Sequence, residues 1–172
     1  PLSYDRSITQ RINAEKIALF FEQGASADDL LQAYIESLEH VHEPSTEMQP
    51  GDDLALLAVY VTLAKSSSVE NLIQAAAIAS YACEKSARAY KLRLLLIRLL
   101  LRLGCLKLAV YHFDALELKA VQLDTMSHYL FDRNASFGGS HAADVVTIGR
   151  AASRTFTSSV LSKSQRLWVV HS

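Results

Sequence analysis

The stretch Ala87–Leu118, ARAYKLRLLLIRLLLRLGCLKLAVYHFDALEL, decides the fold of this 172-residue chain. It reads as two helices back to back, hinged at Gly104. On a wheel of 100° per residue, Leu92, Leu94, Leu96, Ile97, Leu99, Leu100, Leu101 and Leu103 occupy most of the first helix's circumference. One narrow stripe, Arg88, Lys91, Arg98 and Arg102, is left for water. A helix this apolar must be covered by neighbours on several sides. The second helix, Leu106 to Leu116, is amphipathic and can cover one of them.

Working outward, the same alphabet continues on both sides. Glycine and proline number only 6 and 3, and long runs of Leu, Ala, Glu, Lys and Arg favour helix. Helix is expected over Ser7–Gln23, with an apolar face of Ile8, Ile12, Ile17, Phe20 and Phe21 and a stop at Gly24. Ser26 followed by Asp28 and Asp29 announces a second helix to about His40, since a hydroxyl caps and acids favour the positive end of the helix dipole. Its face is Leu30, Leu31, Tyr34, Ile35 and Leu38. Pro44 and Pro50 interrupt helical register between His42 and Gly51, which marks a boundary. A third helix, Asp52–Lys65, carries Leu54, Leu57, Tyr60, Val61 and Leu63. Ser66-Ser67-Ser68 ends it and caps a fourth, Val69–Lys85, rich in alanine. Further helices are expected from Asp124 to about Asn134 and from Ser140 to about Leu161. The expected division is an N-terminal helical pair over 1–43, a helical array over 51–161 and a frayed tail over 162–172.

A repeat runs through the array. At an offset of 34 residues, Ala75, Ala79, Ala82 and Ala87 fall on Ala109, Phe113, Leu116 and Val121, with Gly104 five residues before Ala109. Intervals of i, i+4, i+7 keep three of these on one helix face. This small–large–small register is that of a tetratricopeptide second helix. A third copy is weaker, since Ala143 fits but Thr147 and Arg150 do not. The strict repeat's tryptophan and tyrosine are missing from the first helices, so the array reads as degenerate and tetratricopeptide-like, with a generic stack of helical hairpins as the alternative. The fold class expected is all-α, an α-solenoid of antiparallel helix pairs.

Charge is balanced overall at −1 but unevenly laid out. Residues 1–53 carry eleven acids against Arg6, Arg11 and Lys16, a local net of −8, and the remainder nets +7. Cys83 and Cys105 both sit in apolar helical patterns and are expected as buried free thiols of a reducing compartment. The opening Pro1-Leu2-Ser3-Tyr4 offers no secretory h-region. The Leu94–Leu103 run is broken by Arg98 and Arg102 and is too short to span a bilayer.

Chemistry-bearing patterns are sparse. The histidines are scattered, and there is no HExxH, zinc-spaced cysteine pair or GxSxG. Serines are accounted for as caps and turns. No cofactor or metal is expected. The basic stripe has two readings. It solvates an apolar helix with Lys and Arg stems laid over leucines, or it contacts phosphate, as in ribosomal RNA or an inositol polyphosphate, for which guanidinium groups are suited. Few aromatic residues interleave with it, which disfavours single-strand stacking. Asp124 and Thr125 read as a helix cap.

Three segments together resemble a known family. They are Lys91-Leu92-Arg93-Leu94-Leu95-Leu96-Ile97-Arg98-Leu99 followed by Leu103-Gly104, then Leu118-Lys119-Ala120-Val121-Gln122-Leu123-Asp124-Thr125, and upstream Glu70-Asn71-Leu72-Ile73-Gln74-Ala75-Ala76. They resemble the auxiliary, non-catalytic subunit of the N-terminal acetyltransferase B complex, with Gln122, Asp124 and Thr125 as motif residues. Ala87 and Ala120 stand where that family has proline and histidine. The resemblance covers about residues 54 to 131. It implies a tetratricopeptide scaffold that wraps a separate catalytic subunit acetylating Met-Asp, Met-Glu, Met-Asn or Met-Gln N-termini, in the cytoplasm near the ribosome. The family's subunit is several times longer, so an interior or truncated piece is expected. An acetyltransferase needs a glycine-rich turn for the pyrophosphate of CoA, and Gly24, Gly51, Gly104, Gly138, Gly139 and Gly149 do not supply its spacing. The alternative is a free-standing tetratricopeptide-like module that captures peptide tails, for which Lys65, Asn71 and Lys91 are widely dispersed.

Overall fold

The computed structural model of the chain describes residues 2–40 and 49–118, with side chains from Tyr4 onward. The motif residues Gln122, Asp124 and Thr125, the third repeat copy and the helices expected beyond Leu118 lie outside the described residues. So does most of the proline-containing loop. The described residues form six helices and no strand: α1 (Leu2–Phe20), α2 (Ala27–Leu38), α3 (Asp52–Lys65), α4 (Val69–Lys85), α5 (Tyr90–Arg102) and α6 (Leu106–Asp114). The chain divides into two compact units, Pro1–Leu99 and Leu100–Ser172.

Local chemistry sets the helix starts. Ser26 has extended backbone and its Oγ accepts the Asp29 N–H at 3.2 Å, while Asp29 Oδ2 accepts the Ser26 N–H at 3.3 Å. That reciprocal box satisfies two donors the first turn cannot satisfy itself. Ser68 caps α4 in the same sense, accepting from Asn71 N at 3.2 Å. The Asn71 amide then donates to the carbonyls of Thr62 and Ser66, at 3.3 and 3.2 Å, which fastens the start of α4 to the end of α3.

Helix ends use one device twice. After α5, Gly104 N–H reaches Leu101 O at 3.2 Å and Cys105 N–H reaches Leu100 O at 2.8 Å, with Gly104 at φ +77°. Those 5→2 and 6→1 bonds around a left-handed residue are a Schellman closure. After α1 the same pair forms from Glu22 to Leu19 O and from Gln23 to Ala18 O, at 3.1 and 2.9 Å. Here the left-handed residue is Glu22, at φ 59°. The stop expected at Gly24 therefore falls two residues earlier, on a residue with a Cβ. A Cβ added at Gly104 would meet nothing within 4 Å. Gly104→Ala should cost about 1 kcal/mol through backbone strain alone, and Gly104→Asn should cost less, as read by urea midpoints.

In the first unit, α3 is the central rod, packing against α1, α2 and α4. Leu54, Ala55, Ala58 and Val59 are each at most 1% exposed, so α3 is covered on a broad arc. Its buried Thr62 hydroxyl donates to Ala58 O at 2.9 Å, which leaves no hydroxyl proton stranded. On α4 the fully buried residues are Ala75, Ala79 and Ala82, small side chains that let helix axes approach closely. α2 comes close as well, since a Cβ on Gly51 would overlap Ser37 Oγ. Along α5, Leu92, Leu96, Ile97 and Leu99 are buried. In the second unit Leu100, Leu101, Leu106, Ala109, His112, Phe113 and Leu116 are buried.

Several expected core positions lie in solvent. Ile8 and Ile12 of α1 are buried, but Ile17, Phe20 and Phe21 are exposed. Ile17 follows Ile12 by five residues, about 140° round the wheel, whereas half-buried Leu19 stays in line with Ile8 and Ile12. Tyr60 is exposed on the side of α3 away from Thr62, and Ile35 is partly exposed on α2. Cys83 is buried as expected, but Cys105 is exposed, because it leaves the Schellman turn as the N-cap of α6.

Candidate functional site

The exposed cations on α5 and the turn before it, and the charges that face them, form the first candidate. Arg88, Lys91, Arg98 and Arg102 are all exposed. Arg88 Nη1 donates to the Tyr90 hydroxyl at 2.5 Å. Lys91 Nζ lies 3.4 Å from Asp53 Oδ1, and Lys16 Nζ of α1 lies 2.6 Å from Asp53 Oδ2. One carboxylate thus joins three helices. Burial alone pushes the Asp53 carboxyl up, but the hydrogen bond and charge of Lys16, joined by Lys91, outweigh it and hold its pKa below the ordinary value. Lys91 is therefore already engaged with an anion, which weakens it as a phosphate ligand. The depression beside it is lined by Asp52, Asp53, Leu56, Ala89, Lys91 and Leu92, so it presents two carboxylates and one ammonium.

A buried polar cluster lies one residue from Asp53. Asp52 is 3% exposed, and its Oδ2 accepts the Ser86 hydroxyl at 2.7 Å and the Gln49 N–H at 3.1 Å. Ser86 is the C-cap of α4, so this bond ties the start of α3 to the end of α4. Burial pushes the Asp52 carboxyl up; Ser86 and Gln49 pull it down by less, and the Asp53 charge adds to the rise. Tyr34 of α2 is fully buried, and its phenol is pushed well up by burial and then by the Asp52 charge. The Cys83 thiol is raised to about 11, again by burial first, so it is not a poised nucleophile.

Arg93 completes the picture. It is 8% exposed, and its Nη2 donates long bonds of 3.4 Å to the carbonyls of Cys83 and Ala87. A guanidinium there complements the negative C-terminal end of α4. The signal was present in the sequence, because Arg93 stands about 180° from the basic stripe on the wheel, among the leucines. The residues expected to form a repeat register, Ala75, Ala79 and Ala82 in the first unit and Ala109, Phe113 and Leu116 in the second, are buried, and Gly104 is exposed in its turn. Among the described residues no group of three or more His, Cys, Asp or Glu could hold a metal ion. None of their helices is long and apolar enough to cross a membrane.

What the geometry offers is helix-to-helix joinery: caps, a shared carboxylate and a buried clasp. Comparison with known proteins gives it a context. No curated protein and no solved structure matches the chain. The family model described as the non-catalytic subunit of the N-acetyltransferase B complex matches residues 3–168. The chain belongs to the family of the non-catalytic subunit of the N-acetyltransferase B complex.

Proposed function

We propose that this chain is a scaffold segment that binds the catalytic subunit of the N-acetyltransferase B complex and positions it in the cytoplasm near the ribosome. The substrates are then N-termini beginning Met-Asp, Met-Glu, Met-Asn or Met-Gln, acted on by the partner. The observation that carries this reading is the family match over residues 3–168. The helical architecture supports it, since stacked helical hairpins give extended surfaces for holding another protein.

A tetratricopeptide-like register agrees with one feature of the first unit. Ala75, Ala79 and Ala82 are each fully buried, as close helix packing requires. We assign contact with ribosomal phosphate to the exposed basic stripe of Arg88, Lys91, Arg98 and Arg102. Inositol polyphosphate has less support, because the enclosed cation Arg93 is engaged with main-chain carbonyls.

Co-expression of the chain with the catalytic subunit, followed by affinity capture, tests the proposal. Retention of the subunit in a stoichiometric complex is the expected result. A chain that is helical by circular dichroism and monodisperse, yet retains none of it, would overturn the reading.

A further inference from the structure

The solvent face of α4 carries an ordered line of apolar side chains that the packing of the first unit does not use. Val69 is 60% exposed, Ile73 55% and Tyr81 38%, with exposed Ala77 between them. They stand at i, i+4, i+8 and i+12, so they form one stripe of about 18 Å along the helix. The opposite side of the same helix is filled by Leu72, Ala75, Ala79 and Ala82. At the far end Tyr81 is held in place before any partner arrives. Its ring meets Tyr34 edge-on at 6.4 Å and 87°, and Lys85 Nζ lies 5.5 Å over its centroid. A fixed aromatic at the end of an apolar stripe is a low-entropy anchor for a partner helix.

The charges beside the stripe select its occupant. Glu70 and Glu84 are exposed on the same face of α4, one near each end, and Lys85 is engaged with Tyr81. Carboxylates repel nucleic-acid phosphate. A second copy docked antiparallel would set Glu70 against Glu84, like charge against like. An amphipathic helix with lysine or arginine along its shoulders meets both the apolar line and the acidic margins.

We propose that Val69, Ile73, Ala77 and Tyr81 of α4 are the docking line for such a basic-shouldered amphipathic helix of the catalytic subunit. This rests on the scaffold reading above and adds where and through what chemistry contact is made. The test uses the co-expressed two-subunit complex and titration of the full chain with the catalytic subunit. Ile73→Glu should weaken affinity at least tenfold. Glu70→Lys with Glu84→Lys, surface changes that leave the core untouched, should weaken it about fivefold, less so at high salt. A photo-crosslinker at position 73 should capture a Lys- or Arg-rich peptide of the catalytic subunit.

Wild-type chain that binds while both variants bind equally well overturns the docking line and leaves the scaffold reading standing. Wild-type chain that does not bind removes both. Loss of self-association in Ile73→Glu, with subunit affinity unchanged, assigns the stripe to a second copy and overturns the proposal. If Ile73→Glu fails to fold, the charge-reversal pair and the crosslink decide alone.

Discussion

Ile97→Ala is expected to destabilise the first unit by about 3 kcal/mol, the middle of the range for deleting a buried aliphatic side chain. Ile97 is fully enclosed at 0% exposure, and Leu92 and Leu96 are at 1%. Removing three carbons from such a site loses their transfer free energy and leaves a cavity that close-packed neighbours fill only in part. Leu95→Ala, on the half-buried flank of the same helix, should cost about 1 kcal/mol, because water already reaches that side chain. Urea unfolding followed by circular dichroism reads both as shifts in midpoint at unchanged slope. A loss below about 0.5 kcal/mol for Ile97→Ala would contradict an enclosed rod and return the leucine-rich stretch to a solvent-exposed helix.

Local features of this fold were legible in the sequence, because their causes are local. Ser26 and Ser68 cap the helices they precede, Gly104 turns between α5 and α6, and the bounds of α3 and α4 follow the periodicity residue for residue. The wheel also separated the exposed cations of α5 from its leucines. What it missed came from treating apolar identity as burial. Phe20 and Phe21 are large and apolar, yet they stand off the line through Ile8, Ile12 and Leu19. Glu22 takes the left-handed turn position because the Schellman bonds form there, although Gly24 is the easier residue for that backbone.

The candidate site was less legible still. Arg93 was visible as a misplaced charge on the wheel, but its acceptors are carbonyls on another helix and its turn, and no side-chain pattern encodes them. The Asp53 hub joins residues 37 and 38 positions apart. Only tertiary packing brings those charges together. The Asp52–Ser86 bond joins residues 34 positions apart and left no mark in the sequence for the same reason.

That clasp yields the second large effect. Asp52→Ala should destabilise the first unit by about 2 kcal/mol, because it leaves the buried Ser86 hydroxyl and the Gln49 N–H without their acceptor. Asp52→Asn keeps a carbonyl acceptor and should cost far less. The two variants also separate charge from hydrogen bonding through pH. In the folded chain the Asp52 pKa is raised by burial, so the folded state holds this proton more tightly than the unfolded state. Its contribution to stability is complete below the ordinary Asp value of about 3.8 and declines as pH rises from there through the raised folded value. Asp53 acts in the opposite sense. Its pKa is lowered by Lys16 and Lys91, so its contribution is present above the ordinary value and is lost as pH falls through the lowered folded one. The two partly cancel in the native chain. Asp52→Asn removes the first titration, so its stability relative to the native chain should climb with pH across the Asp52 window and level off above it. Ser86→Ala should cost more as pH rises, since the hydroxyl matters most to the ionised carboxylate. A double-mutant cycle between positions 52 and 86 should return a coupling of about 1–2 kcal/mol. A coupling near zero would show that the bond does not hold α3 to the end of α4, and a pH-independent Asp52→Asn difference would show that the buried carboxyl is not what titrates.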